Sequence, residues 1–347
     1  MATSQTNSVA YEGAQATEIL FDPLVNPSVE LNAFTVIQDV TGKTQIPEIA
    51  GLQKTARDGA SCATTTVGSV TFSDKALEPK PVVHNMAFCA ENFIPSYLAG
   101  DFPANSNDFQ GTQILEAIES RAQSGVVNDL YDILFWGNAD ATTDTELYLR
   151  DTDVSGLYLS WNAGGNMLQS SDFGTGAGAG QFVTGGFTTG TAATDDLQTD
   201  EALDILNNLI DNASLKLVSR EQGKAFHVTY SIYRNLKKSL SGYATGMTAL
   251  QVDPTVQIDG VSLMSYMGIP IIPHYRWDEV LLANTAIGFR HFAVLTTNEN
   301  NFIGIDGTNT SLVTWYSQDD DNVKMRAKYR LDVEIAHTEL YVAYKGA

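Results

Sequence analysis

The stretch NVKMRAKYRLDVEIAH, residues 322–337, places a basic side chain at every second position. The basic residues are Lys324, Arg326, Lys328 and Arg330. The residues between and after them are apolar: Met325, Ala327, Tyr329, Leu331, Val333 and Ile335. Successive side chains of a β-strand point to opposite faces. The alternation therefore predicts a strand with one apolar face and one face of four positive charges, here called the basic ladder.

The basic ladder stands out because the chain has 41 acidic and 20 basic residues and a formal net charge of −21. The charges are segregated: residues 1–40 carry five acids and no base, and residues 81–200 carry 16 acids and two bases. Taken alone, the ladder fits a solvated strand face, cross-strand pairing with acids of the same chain, or a contact with another subunit. The segregation of charge favours the contact with another subunit.

The acidity argues against direct binding of nucleic acid, because affinity for phosphates comes from the lysines and arginines that neutralise them. It does not argue against enclosing nucleic acid, since an acidic wall repels phosphates and leaves them mobile. With 347 residues, 43% of them hydrophobic, the chain predicts an ordered globular protein of one large domain or two closely connected ones.

Several functional classes lack their sequence signatures. No apolar run is long enough for a membrane span, and the N-terminus does not read as a secretory signal. Cys62 and Cys89 form no zinc pattern, and the five histidines are scattered. The glycine run 174–180 lacks the flanks of a dinucleotide site, and SQDDDN (317–322) lacks calcium-loop spacing. We expect no enzyme, no cofactor, no metal site and no membrane contact, with synthesis in a reducing cytoplasm.

The first third of the chain predicts an arm followed by a ribbon. Residues 1–33 are predicted to form an extended arm, because Pro23 and Pro27 disfavour a helix interior. Residues 34–88 predict a long hairpin, with a first strand over 34–49, a polar tip around 51–64 and a returning strand that includes KPVVHNMAF (80–88). An isolated two-stranded ribbon is marginally stable in water, so we expect this hairpin to pack on another surface.

A long amphipathic helix is predicted over about residues 108–136. Its apolar positions recur at helical spacing: Ile114, Leu115, Ile118, Ala122, Val126, Val127, Leu130, Ile133 and Leu134. Its polar side carries acids: Glu116, Glu119, Asp129 and Asp132. A second helix is predicted from Glu201, and strands are predicted at KAFHVTYS (224–231), DGVSLMSYMGIPIIPHYRW (259–277) and three later stretches. His227 is predicted to lie in the core. Helices and strands without a regular βαβ order predict an α+β fold.

The order of these parts resembles the major capsid proteins of tailed bacteriophages, with their HK97-like fold. Three local stretches carry the resemblance: EPKPVVHNMAFCAENFIPSYLAGDF (78–102), GKAFHVTYSIYRNLKKSL (223–240) and DGVSLMSYMGIPIIPH (259–274). The resemblance implies an N-terminal arm (1–33), an extended E-loop hairpin with a lead-in strand (34–88), and a peripheral domain with its spine helix (89–155). It further implies a mainly axial domain (156–310) and returning strands of the peripheral domain (311–347).

The resemblance also implies partners and a location. The chain would assemble with itself as hexamers and pentamers into an icosahedral head that encloses double-stranded DNA without reading its sequence, and it would reside in the virion. A separate scaffolding protein and a portal are implied, and a cement protein is a further candidate. No residue matches the Lys–Asn cross-link of some relatives, so none is expected. The alternatives are an encapsulin-like nanocompartment shell and, less favoured, an acidic surface binding protein.

Subunit contacts follow as hypotheses from this interpretation. In the family the E-loop lies over the peripheral domain of a neighbour, so Lys54 and Arg57 are predicted to meet the helix acids of the next subunit. These acids are Glu116, Glu119, Asp129 and Asp132. The basic ladder is predicted to face an acidic N-terminal arm, with Glu12 and Glu18, of an adjacent chain.

Overall fold

The computed structural model describes residues 8–25, 34–46, 76–89, 113–136, 182–184, 197, 201–220, 222–242, 252–258, 261–283, 290–317, 322–337 and 340–345. The helices are α1 (Ala14–Val25), α2 (Gln113–Trp136), α3 (Glu201–Asp211), α4 (Leu215–Val218), α5 (Tyr230–Gly242) and α6 (Tyr275–Ala283). The first eight strands are β1 (Ser8–Glu12), β2 (Thr35–Ile37), β3 (Thr44–Gln45), β4 (Ala76–Leu77), β5 (Lys80–Cys89), β6 (Phe182–Thr184), β7 (Lys224–Thr229) and β8 (Val252–Ile258). The others are β9 (Val261–Tyr266), β10 (Ile269–His274), β11 (Phe292–Thr297), β12 (Asn301–Ile305), β13 (Ser311–Ser317), β14 (Asn322–Ile335) and β15 (Tyr341–Lys345).

Strand β14 is the centre of a six-stranded sheet. Along one edge it pairs first with β13 and then with β12, and along its other edge it pairs with β5. Strand β1 adds to β13, and β2 adds in parallel to β12. The apolar residues of β14 are buried at every second position from Val323 to Ile335, as the alternation predicts.

The seven-stranded sheet has the order β6-β15-β11-β7-β10-β9-β8. Its central strands are buried on both faces, and β11 contains no residue that reaches solvent to any large extent. Phe292 and Val294 of β11 face one hydrophobic core, while Ala293 and Leu295 face the other. This sheet therefore separates the two cores.

The first core lies between the six-stranded sheet and helices α1, α2 and α6, and it extends to one face of the seven-stranded sheet. The second core lies on the opposite face of the seven-stranded sheet, under α3 and α5. The α+β class predicted from the sequence is confirmed.

Helix α2 joins the two sheets. It spans 24 residues, about 36 Å at 1.5 Å per residue, and ends at Trp136 as predicted. Residues 108–112 of the predicted helix lie outside the described residues. Ala122, Val126 and Leu130 are buried at the predicted helical spacing, and every residue from Tyr131 to Trp136 is buried. Trp136 packs edge-on against Trp277 of α6 and Phe292 of β11, with ring centroids 5.7 and 5.3 Å apart.

The prediction of an extended arm is wrong for residues 8–25. Strand β1 pairs with β13, and α1 buries Ala16, Leu20 and Phe21 in the first core. Pro23 is tolerated because it stands in the last turn, where it removes one backbone hydrogen bond shortly before the helix ends. The burial of the apolar side chains outweighs that loss.

The predicted strand over residues 34–49 is interrupted. Strand β2 ends at Ile37, Asp39 has a positive φ of 61°, and β3 begins only at Thr44. Strands β3 and β4 pair antiparallel, so the two ends of the predicted hairpin meet at its base. The polar tip, including Lys54 and Arg57, lies outside the described residues. A further correction concerns YRW (275–277), which opens helix α6 and is not part of a strand.

The base of the ribbon is fixed by a close approach of the Leu77 side chain to the backbone of Gly304. Leu77 of β4 is fully buried against Gly304 of β12, where an added Cβ would stand 3.3 Å from the Cβ and Cδ1 of Leu77. Leu77 belongs to a small cluster with Val40, Ile46 and Ala336. The base of the ribbon therefore lies on the side of the sheet opposite to α2. The domain boundaries implied by the resemblance stay predictions.

We expect Gly304→Val to destabilise the protein by about 1–3 kcal/mol, because the added methyl groups overlap Leu77 in a packed cluster. Urea unfolding of the single variants and of Gly304→Val with Leu77→Ala tests the contact. The double variant should cost less than the sum of the single variants. Strict additivity would show that the two residues do not compete for the same space.

Candidate functional site: the basic ladder and its surroundings

The basic ladder occupies the sheet face that α2 does not cover. Arg326 and Lys328 are exposed, while Lys324 and Arg330 are half-buried. The neighbouring residues of β5 and β13 share this face, because residues directly opposite one another in antiparallel strands point the same way. Lys328 lies between Val83 and Ser311, and Arg326 lies between Asn85 and Val313.

The face is mixed in character, with apolar groups beside the cations. The side chain of Val83 is 40% exposed, next to the exposed Lys328. Trp315, opposite Lys324, is half-buried. A surface of exposed cations with apolar groups between them can bind carboxylates and at the same time bury apolar area.

Strand β1 places its own acid on this face. Glu12 lies opposite Ser311, in the same cross-strand row as Lys328 and two strands, or roughly 10 Å, from it. The hypothesis that Glu12 of an adjacent chain meets the ladder required a free arm. The structure instead incorporates residues 8–12 into the chain's own sheet, and nothing is described for the side chain of Glu18.

Arg330 interacts within its own chain. Its Nη1 lies 3.7 Å from Oδ2 of Asp306, a fully buried residue in the turn after β12. Although burial acts to raise the pKa of Asp306, hydrogen bonds from Asn309 and Thr308 hold it below its ordinary value. The carboxylate is therefore ionised at neutral pH, and Arg330 serves partly to balance it. Arg326 and Lys328 are the exposed members of the ladder.

The sign of the charge reverses further along β14. Asp332 follows the ladder on the same face and accepts hydrogen bonds from the backbone N–H of Glu78, at 2.6 Å, and of Val333, at 2.9 Å. Burial raises the pKa of Asp332 to about 6 against these hydrogen bonds. Because Glu78 directly follows β4, this carboxylate holds the base of the ribbon to the sheet.

The structure contradicts the prediction that Asp132 contacts a neighbouring subunit. The side chain of Asp132 is fully buried, and Arg276 of α6 donates to both of its oxygens, from Nε and Nη2, at 2.6 Å each. Burial raises the pKa of Asp132 to about 6, against the hydrogen bonds and charge of Arg276. The helix is enclosed all round at this point, so its polar side there faces the inside of the protein.

The other predicted helix acids are separated from Asp132. Asp129 is 36% exposed, and its Oδ2 lies 3.3 Å from Nδ1 of His84 on β5. His84 Nε2 in turn lies 2.8 Å from the hydroxyl of Tyr329. Glu116 and Glu119 belong to α2, but their side chains lie outside the description. Of these four acids, Asp129 alone has a side chain that is both described and accessible.

A chain of buried polar rings joins α2 to the seven-stranded sheet. The hydroxyl of Tyr131 lies 2.5 Å from Nδ1 of His274, and Nε2 of His274 lies 2.9 Å from Nδ1 of His227. His274 also stacks on Trp277, with ring centroids 3.9 Å apart and planes inclined by 6°. The prediction that His227 lies in the core is confirmed. The scattered histidines gave no sequence signal for this network, because its members are distant along the chain.

Both buried histidines are neutral. Burial lowers the pKa of His227 to about 3, and burial together with the neighbouring ring of His227 lowers the pKa of His274 well below its ordinary value. The Nε2 atom of His227 has no hydrogen-bond partner in the described part of the chain. A proton added there would be buried without an acceptor, which is consistent with the low pKa.

Within the described residues, no group of three or more His, Cys, Asp or Glu side chains is placed to hold a metal ion. None of the helices in the same part of the chain is long and apolar enough to cross a membrane.

Comparisons with known proteins give a consistent fold. No family model matches the sequence, and neither does any curated protein. Among solved structures, a chain of the satellite phage P4 procapsid with its size determination (Sid) protein matches at a TM-score of 0.55 and 11% identity, covering 95% of this chain and 98% of that chain. A chain of Gordonia phage Cozz matches at 0.54 and 12%, covering 92% and 86%, and one of Mycobacterium phage Ogopogo at 0.51 and 12%, covering 92% of each.

At these identities the likeness shows the fold alone. The chain has the fold of bacteriophage capsid proteins, so the fold implied by the sequence resemblance is confirmed. The assignment of particular segments as E-loop, spine helix and axial domain stays a prediction.

We expect Asp132→Ala to cost up to about 3 kcal/mol, because it leaves Arg276 partly buried without its bidentate partner. Asp129→Ala, in contrast, removes a surface contact and should cost no more than about 1 kcal/mol. Urea unfolding of the two variants separates the roles. Equal stabilities would contradict the internal role of Asp132.

The buried histidines predict a pH dependence. Their pKa values in the folded chain lie below the ordinary 6.5, so their contribution to stability is complete above pH 6.5 and is lost as the pH falls below it, for His227 down to about 3. Asp132 and Asp332 act in the opposite direction, since their raised pKa values contribute stability that is lost as the pH rises from about 4 through 6. The two effects offset each other in the native protein.

Replacing one buried histidine separates its contribution to the pH dependence of stability from that of the two aspartates. Between pH 6 and pH 4, the stability of His227→Gln relative to the native protein should improve by about 1.4 kcal/mol per pH unit, because one proton uptake by the unfolded chain is removed. Urea unfolding of both proteins at pH 4, 5, 6 and 7.5 measures the difference. A constant offset at all four values would show that His227 titrates normally in the folded chain.

Proposed function

We propose that this chain is the major capsid protein of a tailed, double-stranded DNA bacteriophage, a structural protein that assembles into the icosahedral head. The observation that carries the proposal is the match to a chain of the satellite phage P4 procapsid over 95% of this chain. The match extends over both sheets and both cores, so it does not depend on one common subdomain.

The charge distribution supports assembly from identical copies. Closed rings of subunits need two different complementary patches on each copy. This chain carries a cationic sheet face although its acids outnumber its bases, 41 to 20. We propose that the ladder face, led by Arg326 and Lys328, receives an acidic surface of a neighbouring copy. Val83 and Trp315 beside the cations would supply apolar contact area.

A second set of proposed contacts joins the ribbon of one subunit to helix α2 of the next. Lys54 and Arg57 of the ribbon would meet Glu116, Glu119 and Asp129 of the next subunit, and Asp132 is removed from that set. Each exposed ion pair would contribute about 0–1 kcal/mol, so the charges would set the position of neighbours while apolar burial supplies most of the adhesion. Hexamers and pentamers, a separate scaffolding protein, a portal and enclosed DNA belong to the same proposal.

The proposal is tested by producing the full chain, alone and together with a candidate scaffolding protein, and examining the product by electron microscopy. We expect closed shells of uniform size. Shells that contain nucleic acid would support the head protein, and shells loaded with an enzyme would favour a nanocompartment. A stable monomer under both conditions would contradict the proposal.

Reversing the exposed ladder residues with Arg326→Glu and Lys328→Glu should prevent or strongly reduce shell formation while leaving the folded subunit intact, because both side chains point to solvent. The matched control is Lys216→Glu with Arg220→Glu, which changes the net charge equally on α4 and the turn after it. Sedimentation velocity measures assembly, and circular dichroism verifies folding. Normal assembly of the ladder variant would show that the ladder is not part of the subunit interface.

A further inference from the structure

Helix α5 carries a second concentration of positive charge, on the other side of the seven-stranded sheet from α2. Its thirteen residues, YSIYRNLKKSLSG, contain three bases and no acid. Arg234, Lys237 and Lys238 are all exposed, whereas Ile232, Leu236 and the other inward positions are buried in the second core. The charged side chains that α5 presents to solvent are thus all basic, in a chain with twice as many acids as bases.

Exposed aromatic rings adjoin these basic side chains. Tyr230, one turn before Arg234, is 37% exposed and packs on Tyr275 of α6, which is 57% exposed, with ring centroids 4.7 Å apart. Lys237 places its ammonium group 5.1 Å from the centroid of the Tyr233 ring. Tyr and Arg are the residue types that are enriched in protein–protein interfaces.

The two helices are held together by an internal cap. The backbone N–H of Ser231, at the start of α5, donates to both carboxylate oxygens of Asp278 on α6, at 3.3 and 3.2 Å. Asp278 therefore compensates the positive end of α5. The exposed acid of α6, Glu279, lies 3.7 Å from Arg276 and is partly balanced there. These bonds hold the first turns of α5 and α6 together, where Tyr230 packs on Tyr275.

We propose that this surface, called the tyrosine–lysine patch (Tyr230, Arg234, Lys237, Lys238 and Tyr275), binds an acidic surface of a second copy of this chain. The cations match carboxylates, which the chain has in excess, and residues 81–200 alone hold 16 acids against two bases. The exposed rings of Tyr230 and Tyr275 gain from apolar contact, which a protein surface provides and the phosphate backbone of duplex DNA does not. The inference rests on the proposed function and adds a contact separate from the ladder.

The test compares the full-length protein with two variants and a charge-matched control. Arg234→Glu with Lys237→Glu reverses two of the basic charges of α5, Tyr275→Ser removes the exposed ring, and Lys216→Glu with Arg220→Glu is the control. For the patch variants, the lowest protein concentration that yields shells should rise at least about tenfold, the change expected when contacts worth about 1.4 kcal/mol are lost. Circular dichroism and thermal unfolding should show that each variant folds like the native chain.

Cross-linking identifies the partner directly. Shells formed from a mixture of unlabelled and ¹⁵N-labelled chains are treated with a carbodiimide, which joins lysine to carboxylate only at contact distance. We expect Lys237 or Lys238 linked to an acidic residue of a differently labelled copy. Fluorescence anisotropy with a 30-base-pair DNA duplex tests whether the patch binds DNA instead of a second copy.

Each result decides the matter. Shells from native, control and patch variants at the same concentration would overturn the patch while leaving the proposed function in place. Failure of the native chain to assemble would overturn both. Cross-links from Lys237 and Lys238 only within one copy, or DNA binding that the charge reversal abolishes, would exclude a second copy as the ligand of the patch.

Discussion

The structure depends on the two-sided character of β14. Its apolar side forms the floor of the first core, and α1 and α2 pack on that floor. Because the side-chain period of a strand is two, a shift of pairing by one residue would bury four cations and expose seven apolar side chains. Burial of unpaired charge is costly enough to exclude that alternative. The same constraint that fixes the sheet therefore forces the basic ladder onto the open face.

The second organising feature is the C-terminal end of α2, where the buried Asp132 and the partly exposed Asp129 stand three residues apart. From Tyr131 to Trp136 the helix is enclosed between the two sheets and α6. Inside this junction Asp132 pairs with Arg276, and His274 is hydrogen-bonded to both Tyr131 and His227. Buried polar groups require such partners. Acids in the enclosed part of the helix stabilise the subunit, whereas Asp129, one turn earlier, reaches the surface. Position along one helix decides which acid can contact a neighbour.

Sequence patterns predicted the elements whose burial repeats regularly. The period of two in β14 and the helical period in α2 were confirmed, because one side of each element faces a core. The strand predicted around His227 was also confirmed as β7, although it is buried on both faces. Local rules failed where tertiary contacts dominate. Pro23 suggested an extended arm, yet packing of Leu20 and Phe21 stabilises α1. The positive φ of Asp39 interrupts a run that has strand-like composition.

The candidate site was predicted only in part for a related reason. Alternation identified the ladder, but it could not show that Arg330 balances the buried Asp306 or that Arg276 pairs with Asp132, since these partners are 24 and 144 residues apart. Such pairs depend on how the sheets and helices come together. The tyrosine–lysine patch likewise requires the first turns of α5 and α6 to meet, which no local pattern of either helix indicates.

The central claim is that the open face of the six-stranded sheet is completed by a neighbouring copy of the chain. A cryo-electron microscopy map of particles assembled from the full-length protein measures this directly. The account predicts continuous density of another subunit over Arg326 and Lys328, with carboxylates within about 4 Å of their charged groups. Particles in which both side chains project into open solvent would contradict it.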